Sequence, residues 1–387
     1  MSRQHKRKIR VAFSKNRKNR ARSQDITREI LRDSELLEDA STSERISGKG
    51  ALTRHRTIIA DGSAGGALIN VDPAACPPAR VLYSIGANRC RVRTEAGEEL
   101  DCTVRRVLRT LDRSARNTVV PGDHVSVRPL ESQTGVVERV EPRHGVLSRH
   151  SGRKEHVIAA NVDQAVIVVS AAEPPLKPGV VDRFIVSAER GGIRPVVCIN
   201  KVDLVDAAQL QPVAGIYAQL GYDVVLVSAL HGAGVARLRA LLRGRQSVVS
   251  GQSGVGKSSL LNAVEPLLAR HTSGVSADSG KGRHTTRVAE MLPLDCGGWV
   301  IDTPGIRQLE LWDVIPEEVE GYFREFRPFV AGCKFPDCSH LHETGCAVRA
   351  AVDDRLISRM RYASYTRIVT GDEQRRLPGS EFLDGAL

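Results

Sequence analysis

Apolar and polar positions divide the chain into stretches of different periodicity. From about residue 79 to 145, short alternating runs are separated by turn-forming sequences such as Pro121-Gly122-Asp123. Alternation with a period of two predicts strands. The five predicted strands are Val81–Ile85, Cys90–Val92, Leu100–Val104, Val125–Val127 and Val136–Val140. Five strands in this length predict a small all-β unit, either an OB-type barrel or an SH3-like barrel.

Between about residues 157 and 313, β-branched runs alternate with stretches of helical periodicity. The predicted strands are Ala165–Ser170, Pro195–Ile199 and Asp223–Val227, and the predicted helices are Val180–Glu189, Ala207–Leu220 and Val235–Leu242. This alternation predicts a parallel sheet covered by helices, which is an α/β domain. Further along the chain, helices are predicted at Glu317–Phe326 and Val352–Ile368, with a Cys/His cluster between them.

The first 77 residues lack this patterning and contain one aromatic residue, Phe13. With so little apolar surface to bury, they are predicted to form a disordered extension. Residues 1–22 carry ten Lys/Arg and no Asp or Glu, whereas the whole chain has a formal net charge of +11. A terminal block of like charge is typical of a solvated tail, and it is also suited to contact a polyanion such as RNA.

Membrane insertion and secretion are not indicated by the apolar pattern. The longest apolar run, Ala165–Val169, is far shorter than the roughly 20 residues that a membrane helix needs. The basic N-terminus is not followed by an apolar segment, as it would be in a secretory signal. Five of the eight cysteines are scattered and three are clustered, which in a cytosolic protein favours a metal site over disulfides. These features predict a cytoplasmic protein.

Residues 251–258 fit the phosphate-binding pattern Gly-x-x-x-x-Gly-Lys-Ser/Thr. A predicted strand precedes them and a predicted helix follows, which is the context that this motif requires. Glycines let backbone N–H groups converge on phosphates, Lys257 is expected to reach the β- and γ-phosphates, and Ser258 is expected to bind Mg²⁺. The residues predicted to contact the nucleotide here are Gly251, Gln252, Ser253, Gly254, Val255, Gly256, Lys257, Ser258 and Ser259.

A second motif, Asn200-Lys201-Val202-Asp203, directly follows a predicted strand. The Asp203 carboxylate can accept from the N1–H and the 2-amino group of guanine, and adenine lacks this pair of donors. Asn200 is expected to tie the loop and reach the purine, and the Lys201 stem to lie against the ring. After the next strand, a backbone N–H of Ser228-Ala229-Leu230 is expected to meet guanine O6. Together with the phosphate loop, these residues predict a GTP site.

Two polar loops are placed to sense the γ-phosphate. Asp302 is expected to hold Mg²⁺ through water, and the N–H of Gly305 to meet the γ-phosphate. Residues 280–287 are predicted to form the first switch, with Thr286 as a Mg²⁺ ligand. Small GTPases ordinarily place the phosphate loop before the guanine motif. Joining the original ends and opening another loop builds the same sheet, so the reversed order predicts a circular permutation.

Cys333-x₄-Cys338-x-His340-x₅-Cys346 supplies three thiolates and one imidazole, a closed tetrahedral set typical of structural zinc. Short spacings let one ion cross-link a loop that is too small for its own core. His342 is close enough to compete with His340 as the fourth ligand. Catalytic zinc is disfavoured because four protein ligands leave no open coordination position.

The combination of motifs resembles the RsgA family of circularly permuted GTPases of small ribosomal subunit biogenesis. The features that carry the resemblance are the permuted order, the switch loop Gly282–Thr286, the Asp302–Gly305 segment, the N-terminal barrel and the Cys/His cluster. The resemblance covers about residues 79–370, so the basic extension lies outside it. It implies GTP hydrolysis to GDP and phosphate, stimulated by the small subunit during late maturation of that subunit.

The resemblance also implies the fold of each part and favours His340 as the zinc ligand. The expected divisions are a basic extension at residues 1–77, an OB-type β-barrel at 78–150, a permuted α/β GTPase domain at 151–313 and a mainly α zinc-binding domain at 314–387.

The group that orients the attacking water is less clearly indicated. Ras-like enzymes use a glutamine after the second-switch glycine, and this chain has Ile306 there. By resemblance, His284 in the first switch is the candidate catalytic residue beside Lys257, with Gln308 and Arg307 as alternatives. His284 is also suited to contact rRNA or to brace its loop.

The sequence therefore predicts a monomeric GTPase that binds Mg²⁺ with GTP, holds one structural zinc ion and acts on the small ribosomal subunit and its rRNA. One alternative is an RNA-binding module in which hydrolysis is incidental, and its RNA affinity would not depend on whether GTP or GDP is bound. Another is a signalling GTPase that acts on proteins, but the barrel and the zinc domain would have no obvious use there.

Overall fold

The structure is a computed structural model. It describes residues 6–12, 55–61, 68–69, 71–86, 88–106, 108, 118–130, 133–151, 154–266, 289–302 and 316–371. The chain divides into two compact units, one of residues 1–161 with 288–291, and one of residues 162–287 with 292–387. In the described ranges, no helix combines the length and the apolar character that crossing a membrane requires.

Three strands precede the barrel, namely β1 Lys6–Ala12, β2 His55–Asp61 and β3 Leu68–Ile69. They form one sheet in which β2 pairs antiparallel with both neighbours. No strand was predicted here, and residues 1–77 were expected to be disordered. The two longer strands pair across more than forty residues of sequence, a partnership that local alternation does not indicate. The other positions before residue 71 lie outside the described residues.

Five strands close into a barrel in the first unit, and each of them contains one of the predicted strands. They are β4 Pro78–Ile85, β5 Arg89–Thr94, β6 Glu99–Val104, β7 His124–Pro129 and β8 Thr134–Val140. Strands β6 and β8 run parallel, and the other neighbours in the order β4-β5-β6-β8-β7 run antiparallel. Val81, Val92, Val127 and Val137 are completely buried, as strand alternation predicts for the inner face. A hairpin of β9 Leu147–Ser151 and β10 Lys154–Ala159 follows the barrel.

A six-stranded sheet in the order β13-β12-β11-β14-β16-β15 organises the second unit. The strands are β11 Gln164–Ser170, β12 Arg194–Asn200, β13 Asp223–Val227, β14 Gln246–Ser250, β15 Glu290–Pro293 and β16 Trp299–Asp302. The strands from β13 to β16 in this order are parallel. The described helices among them are α1 Pro178–Arg190, α2 Ala207–Gln219, α3 Val235–Leu242 and α4 Lys257–Val264. The carboxyl ends of the parallel strands share one edge, where ligands bind in such sheets.

Residues 316–371 form a small helical unit, called here the C-terminal module, around the Cys/His cluster. Its helices are α5 Val319–Tyr322, α6 Arg327–Val330, α7 Ala347–Asp353 and α8 Arg359–Thr370, with 3₁₀ turns at Pro316–Glu318 and Arg324–Phe326.

The two helices predicted for the C-terminal module are interrupted in the structure. The first, Glu317–Phe326, breaks at Phe323, whose backbone ψ is 89° and whose side chain is completely buried. The second, Val352–Ile368, is divided because Arg355 takes a left-handed φ of 62°, which ends α7. At Phe323 tertiary packing overrides a continuous helical pattern, whereas α7 ends in local hydrogen bonds from the N–H groups of Arg355 and Leu356.

Candidate functional site

The loop after β14 is shaped by glycines at its two ends. Gly251 has a φ of +148°, and a Cβ there would overlap the carbonyl oxygen of Val168 on the neighbouring strand β11. Gly256 has a φ of +89°, and its Cβ would lie 2.5 Å from Asn200 Nδ2. Only glycine fits these two positions, because it adopts a positive φ without strain and has no Cβ to overlap Val168 or Asn200. Between these glycines, Val255 is 1% exposed and anchors the loop in the apolar layer below.

Lys257 is the first residue of α4, and its ammonium group lies against the phosphate loop. Its Nζ donates to the carbonyl oxygens of Gly251, at 2.7 Å, and Gln252, at 2.5 Å. The predicted contacts Ser253, Ser258 and Ser259 are found at the same loop and helix start. Backbone N–H groups and the positive end of a helix favour an anion at this position. The loop can therefore receive phosphates, with a cation already beside it.

Asn200 connects three loops at the carboxyl edge of the sheet. It ends β12 and is 1% exposed. Its Nδ2 donates to the carbonyl oxygen of Val255 at 2.9 Å, and its Oδ1 accepts from the N–H of Ala229 at 3.2 Å. One buried amide thus brings together the guanine motif, the loop after β13 and the phosphate loop, although Asn200 and Val255 are 55 positions apart.

Asp203 lies in a 3₁₀ turn, Val202–Leu204, and its carboxylate is exposed. A hydrogen bond from the Ser228 hydroxyl lowers the pKa of Asp203, so the group stays ionised and able to accept from a ligand. Ser228 is itself buried and accepts from the N–H of His231 at 3.1 Å. The serine therefore fixes the carboxylate rather than contacting the base itself.

The hydrogen bonds in the loop after β13 indicate which of its backbone N–H groups can donate to guanine O6. The N–H of Ser228 donates to the carbonyl of Ala233, and the N–H of Ala229 is directed at Asn200. Within the described part of the chain, the N–H of Leu230 has no acceptor. Of the predicted segment Ser228-Ala229-Leu230, these hydrogen bonds leave the N–H of Leu230 available as the donor.

The γ-phosphate side is described only in part. Asp302 is the last residue of β16, and because Ile301 pairs with Val248 of β14, its backbone lies beside the strand that leads into the phosphate loop. Thr286, His284 and Gly305 lie outside the described residues. The alternatives Arg307 and Gln308 lie outside them too.

The loop after β11 contacts the same site and was not among the predicted site residues. The carbonyl oxygen of Glu173 accepts from Lys201 Nζ. Pro174 Cδ lies 3.7 Å from the position that a Cβ on Gly254 would take. This loop could have been predicted as part of the site from its position in the sequence. It directly follows the central strand β11, and the loops at the carboxyl ends of such strands line ligand sites.

The Cys/His cluster assembles as a compact donor set. The ligand atoms of Cys333, Cys338, His340 and Cys346 all lie within 4.8 Å of one another. His340 directs Nδ1 toward the sulfur atoms, 3.3 Å from Cys346 Sγ and 3.6 Å from Cys333 Sγ. Three thiols and an imidazole at this spacing fit a tetrahedral metal ion. The competing His342 is exposed and lies outside the cluster.

Groups from outside the cluster hold its loop in place. Glu320 Oε2 lies 3.1 Å from His340 Nε2, where a carboxylate can orient a ligating imidazole. Tyr362 on α8 donates to the carbonyl of His340 at 2.7 Å, and Tyr365 donates to that of Ser339 at 2.9 Å. Glu320 was not predicted because it lies twenty positions before His340, without a local motif.

Glu343 stabilises the same loop from within. It accepts from the N–H and the hydroxyl of Ser339 and from the N–H groups of Leu341 and His342. Burial alone would raise the pKa of Glu343, but these hydrogen bonds outweigh it and lower the pKa below the ordinary range. The carboxylate is therefore ionised at neutral pH and keeps the loop folded around the donor set.

Comparisons with known proteins agree with this geometry. The family described as RsgA GTPase matches residues 140–312. A protein from Shewanella oneidensis, named small ribosomal subunit biogenesis GTPase RsgA, is 42% identical over 297 residues, covering 73% of this chain and 81% of that protein. The solved structure of YjeQ from Thermotoga maritima has a TM-score of 0.63 and 35% identity, covering 78% of this chain and 100% of that chain. YloQ, described as a circularly permuted GTPase, has a TM-score of 0.60 and 31% identity, covering 78% of this chain and 97% of that chain.

Proposed function

Because the chain belongs to the RsgA family of GTPases and hydrolyses GTP, we propose that it acts on the small ribosomal subunit, assists its late maturation and leaves after hydrolysis. The contacts of Asn200 carry the nucleotide part of this proposal, because they join the guanine motif to the phosphate loop. The name of the Shewanella relative supports the ribosomal partner. A cytoplasmic, monomeric protein is consistent with this role.

The test is GTP hydrolysis by the full-length protein with and without purified small subunits. We expect stimulation of about 100-fold or more, the effect of a partner that contributes one group to the transition state. Large subunits serve as the control and should leave the rate unchanged. Absence of stimulation, together with RNA binding that is equal in GTP and GDP, would favour the alternative of an RNA-binding module with incidental hydrolysis.

We assign the roles of the nucleotide site as the motifs predict. Lys257 and the backbone of residues 251–259 bind the phosphates. Residues 200–203 bind guanine; Ser228 holds the Asp203 carboxylate, Ala229 is bonded to Asn200, and the N–H of Leu230 is available for guanine O6. Ser258, Thr286 and Asp302 hold Mg²⁺, while the Gly305 N–H senses the γ-phosphate. His284 is the proposed catalytic residue, on the basis of its position in the first switch. The shared edge of the sheet supports these roles for the residues that the structure describes.

We further propose that the barrel is of the OB type and contacts rRNA together with the C-terminal module. A Greek-key order supports this class, because the first barrel strand pairs with the fourth and the third with the fifth. The proposed domains are residues 1–77 as a basic extension, 78–150 as the barrel, 151–313 as the GTPase domain and 314–387 as the metal-binding domain.

The metal is proposed to be one structural zinc ion. Three thiolates and one imidazole suit zinc, and four protein ligands leave no position for substrate. When bound, the ion would cross-link the loop between α6 and α7. Cys333, Cys338, His340 and Cys346 would hold it, with Glu320 behind the imidazole.

Replacing Cys346 with serine should reduce zinc content at least about tenfold, because removal of one thiolate weakens a closed site strongly. The hydrogen bonds from Tyr362 and Tyr365 to the loop should loosen, which near-UV circular dichroism would detect. Cys296→Ser is the matched control, since Cys296 lies outside the cluster. Unchanged zinc content in Cys346→Ser would contradict the proposed ligand set.

The basic tail is proposed to contact RNA phosphates. Exchanging all ten Lys/Arg of residues 1–22 for glutamine keeps the chain length and should weaken RNA binding. In a plot of the logarithm of RNA affinity against the logarithm of salt concentration, the slope should become less steep. Its magnitude should fall by about 0.7 for each phosphate of single-stranded RNA that the variant no longer neutralises. RNA affinity measured between low and moderate salt gives the slope, and an unchanged slope would refute binding by the tail.

A further inference from the structure

A buried arginine joins the C-terminal module to the GTPase sheet. Arg361 of α8 is completely buried, and its Nη1 lies 2.6 Å from Asp182 Oδ1 on α1. Its Nε donates to Glu325 Oε1 at 2.7 Å, and the guanidinium lies 4.3 Å from the centre of the Phe323 ring. Tyr217 of α2 donates to Asp182 Oδ1 at 2.8 Å. One cation therefore bridges α1 and two segments of the module, and Asp182 links α1 to Tyr217 of α2.

Further contacts surround this bridge. Arg324 of the module pairs with Glu189 at the end of α1 at 2.7 Å and donates to the carbonyl of Leu220 at 3.2 Å. Val186 of α1 packs in the apolar cluster of the module, and Met360 of α8 packs in the cluster beneath α1 and α2. The module is therefore held against α1 and α2 by both charged and apolar contacts.

The other end of α1 leads to the nucleotide site. Glu173 precedes Asp182 by nine positions, and its carbonyl oxygen accepts from Lys201 Nζ of the guanine motif and from the Ser170 hydroxyl. The carbonyl of Lys177 then accepts from the first N–H groups of α1. A short segment thus links a guanine-site residue to the helix that carries Asp182.

We propose that Arg361 is a positioning residue that makes the orientation of the C-terminal module depend on the guanine site through α1. A base that lies against Lys201 alters the Lys201–Glu173 hydrogen bond. Because Glu173 lies just before α1, this change shifts the position of the start of α1. Because Arg361 bonds in a fixed fork to two carboxylates, a shift of α1 must carry the module with it or break buried ion pairs. This route runs through α1 and does not involve the predicted second switch, which follows Asp302 in the sequence.

The test needs a variant that removes the bridge without leaving a buried charge unpaired. Asp182→Asn, Glu325→Gln and Arg361→Met together meet this condition and nearly keep the side-chain volumes. The matched control is Arg194→Met with Asp223→Asn, an ion pair on β12 and β13 that is more exposed. Hydrogen exchange of the backbone amides in α8 is measured on the full-length protein with and without GDP.

In the wild type and the control, GDP should slow exchange in α8 by about fivefold or more, the size of a typical coupling between sites. In the triple variant this response should disappear, while GDP affinity changes by less than about threefold. If GDP does not affect α8 in the wild type, or if the triple variant keeps the response, the proposal is overturned.

Should the triple variant fail to melt cooperatively, Arg361→Lys replaces it. The lysine keeps the charge without the fork, so it should reduce the response to GDP, and an undiminished response would overturn the proposal too.

The consequence for turnover rests on the proposed function. If small subunits stimulate the wild type, the triple variant should retain basal hydrolysis and its KM for GTP but lose about fivefold or more of the stimulation. The exchange experiment uses no ribosomes. Absence of stimulation in the wild type would therefore contradict the ribosomal role and leave the test of Arg361 intact.

Discussion

Replacing Lys257 with alanine is expected to lower the rate of GTP hydrolysis by about 100-fold to 1000-fold, the usual effect of removing one group that stabilises transition-state charge. The Lys257 ammonium lies against Gly251 and Gln252 at the mouth of the phosphate loop. Phosphoryl transfer depends on cations that neutralise the β- and γ-phosphate oxygens. The loop itself should survive the change, because Val255 stays buried and Asn200 still binds its carbonyl.

Single-turnover hydrolysis with saturating GTP measures this effect separately from nucleotide binding. Lys334→Ala is the control, because it removes a lysine from the loop of the Cys/His cluster and should keep the wild-type rate. Melting temperatures of both variants report whether the fold is intact. If Lys257→Ala hydrolyses GTP within about tenfold of the wild type, Lys257 does not stabilise the transferred phosphoryl group.

Replacing Asp203 with asparagine is expected to lower GTP affinity by about 100-fold or more, because the variant lacks a charged acceptor for two hydrogen bonds from guanine. The asparagine NH₂ group would face a donor of guanine, so one of the two hydrogen bonds could not form. Xanthine has a carbonyl group at position 2 in place of the amino group, so it can accept from that amide. The variant should therefore gain affinity for xanthosine triphosphate while Ser228 still donates to the remaining oxygen.

Competition between GTP, xanthosine triphosphate and a fluorescent guanine nucleotide measures this change in selectivity. The matched control is Asp206→Asn, which makes the same substitution three positions later at the start of α2. There the side chain accepts from the N–H of Ala208 at 2.9 Å, and asparagine caps a helix as well as aspartate does. Retained preference for GTP in Asp203→Asn would show that another residue selects the base.

The expected selectivity should also hold under mildly acidic conditions. The hydrogen bond from Ser228 lowers the pKa of Asp203, which favours the ionised form. A carboxylate with a lowered pKa keeps its interactions above its ordinary range and loses them only as the pH falls through the lowered value. GTP affinity measured down to pH 5 should therefore show no titration of Asp203.

The local patterns of the sequence determined most of the elements between residues 78 and 250. The five strands predicted for the barrel each lie within an observed strand. The other strands and helices predicted before residue 250 match observed elements to within a residue or two at each end. The phosphate loop and the Cys/His spacing were equally readable, because glycine conformations and short ligand spacings are properties of neighbouring residues. The reversed order of the two nucleotide motifs was visible in the same way.

The tertiary structure alone decided which of these elements meet. Asn200 bonds to Val255, and Arg361 bonds to Asp182 across 179 positions, yet no periodicity specifies either partner. A buried arginine on α8 has the same sequence signature as a solvated one, and only tertiary packing gives it two carboxylates, Asp182 of α1 and Glu325 of the module. Periodicity reports which face of an element is buried, whereas partners depend on the order of strands in the sheet. The guanine and phosphate motifs therefore come from the sequence, and their contact through Asn200 comes from the fold.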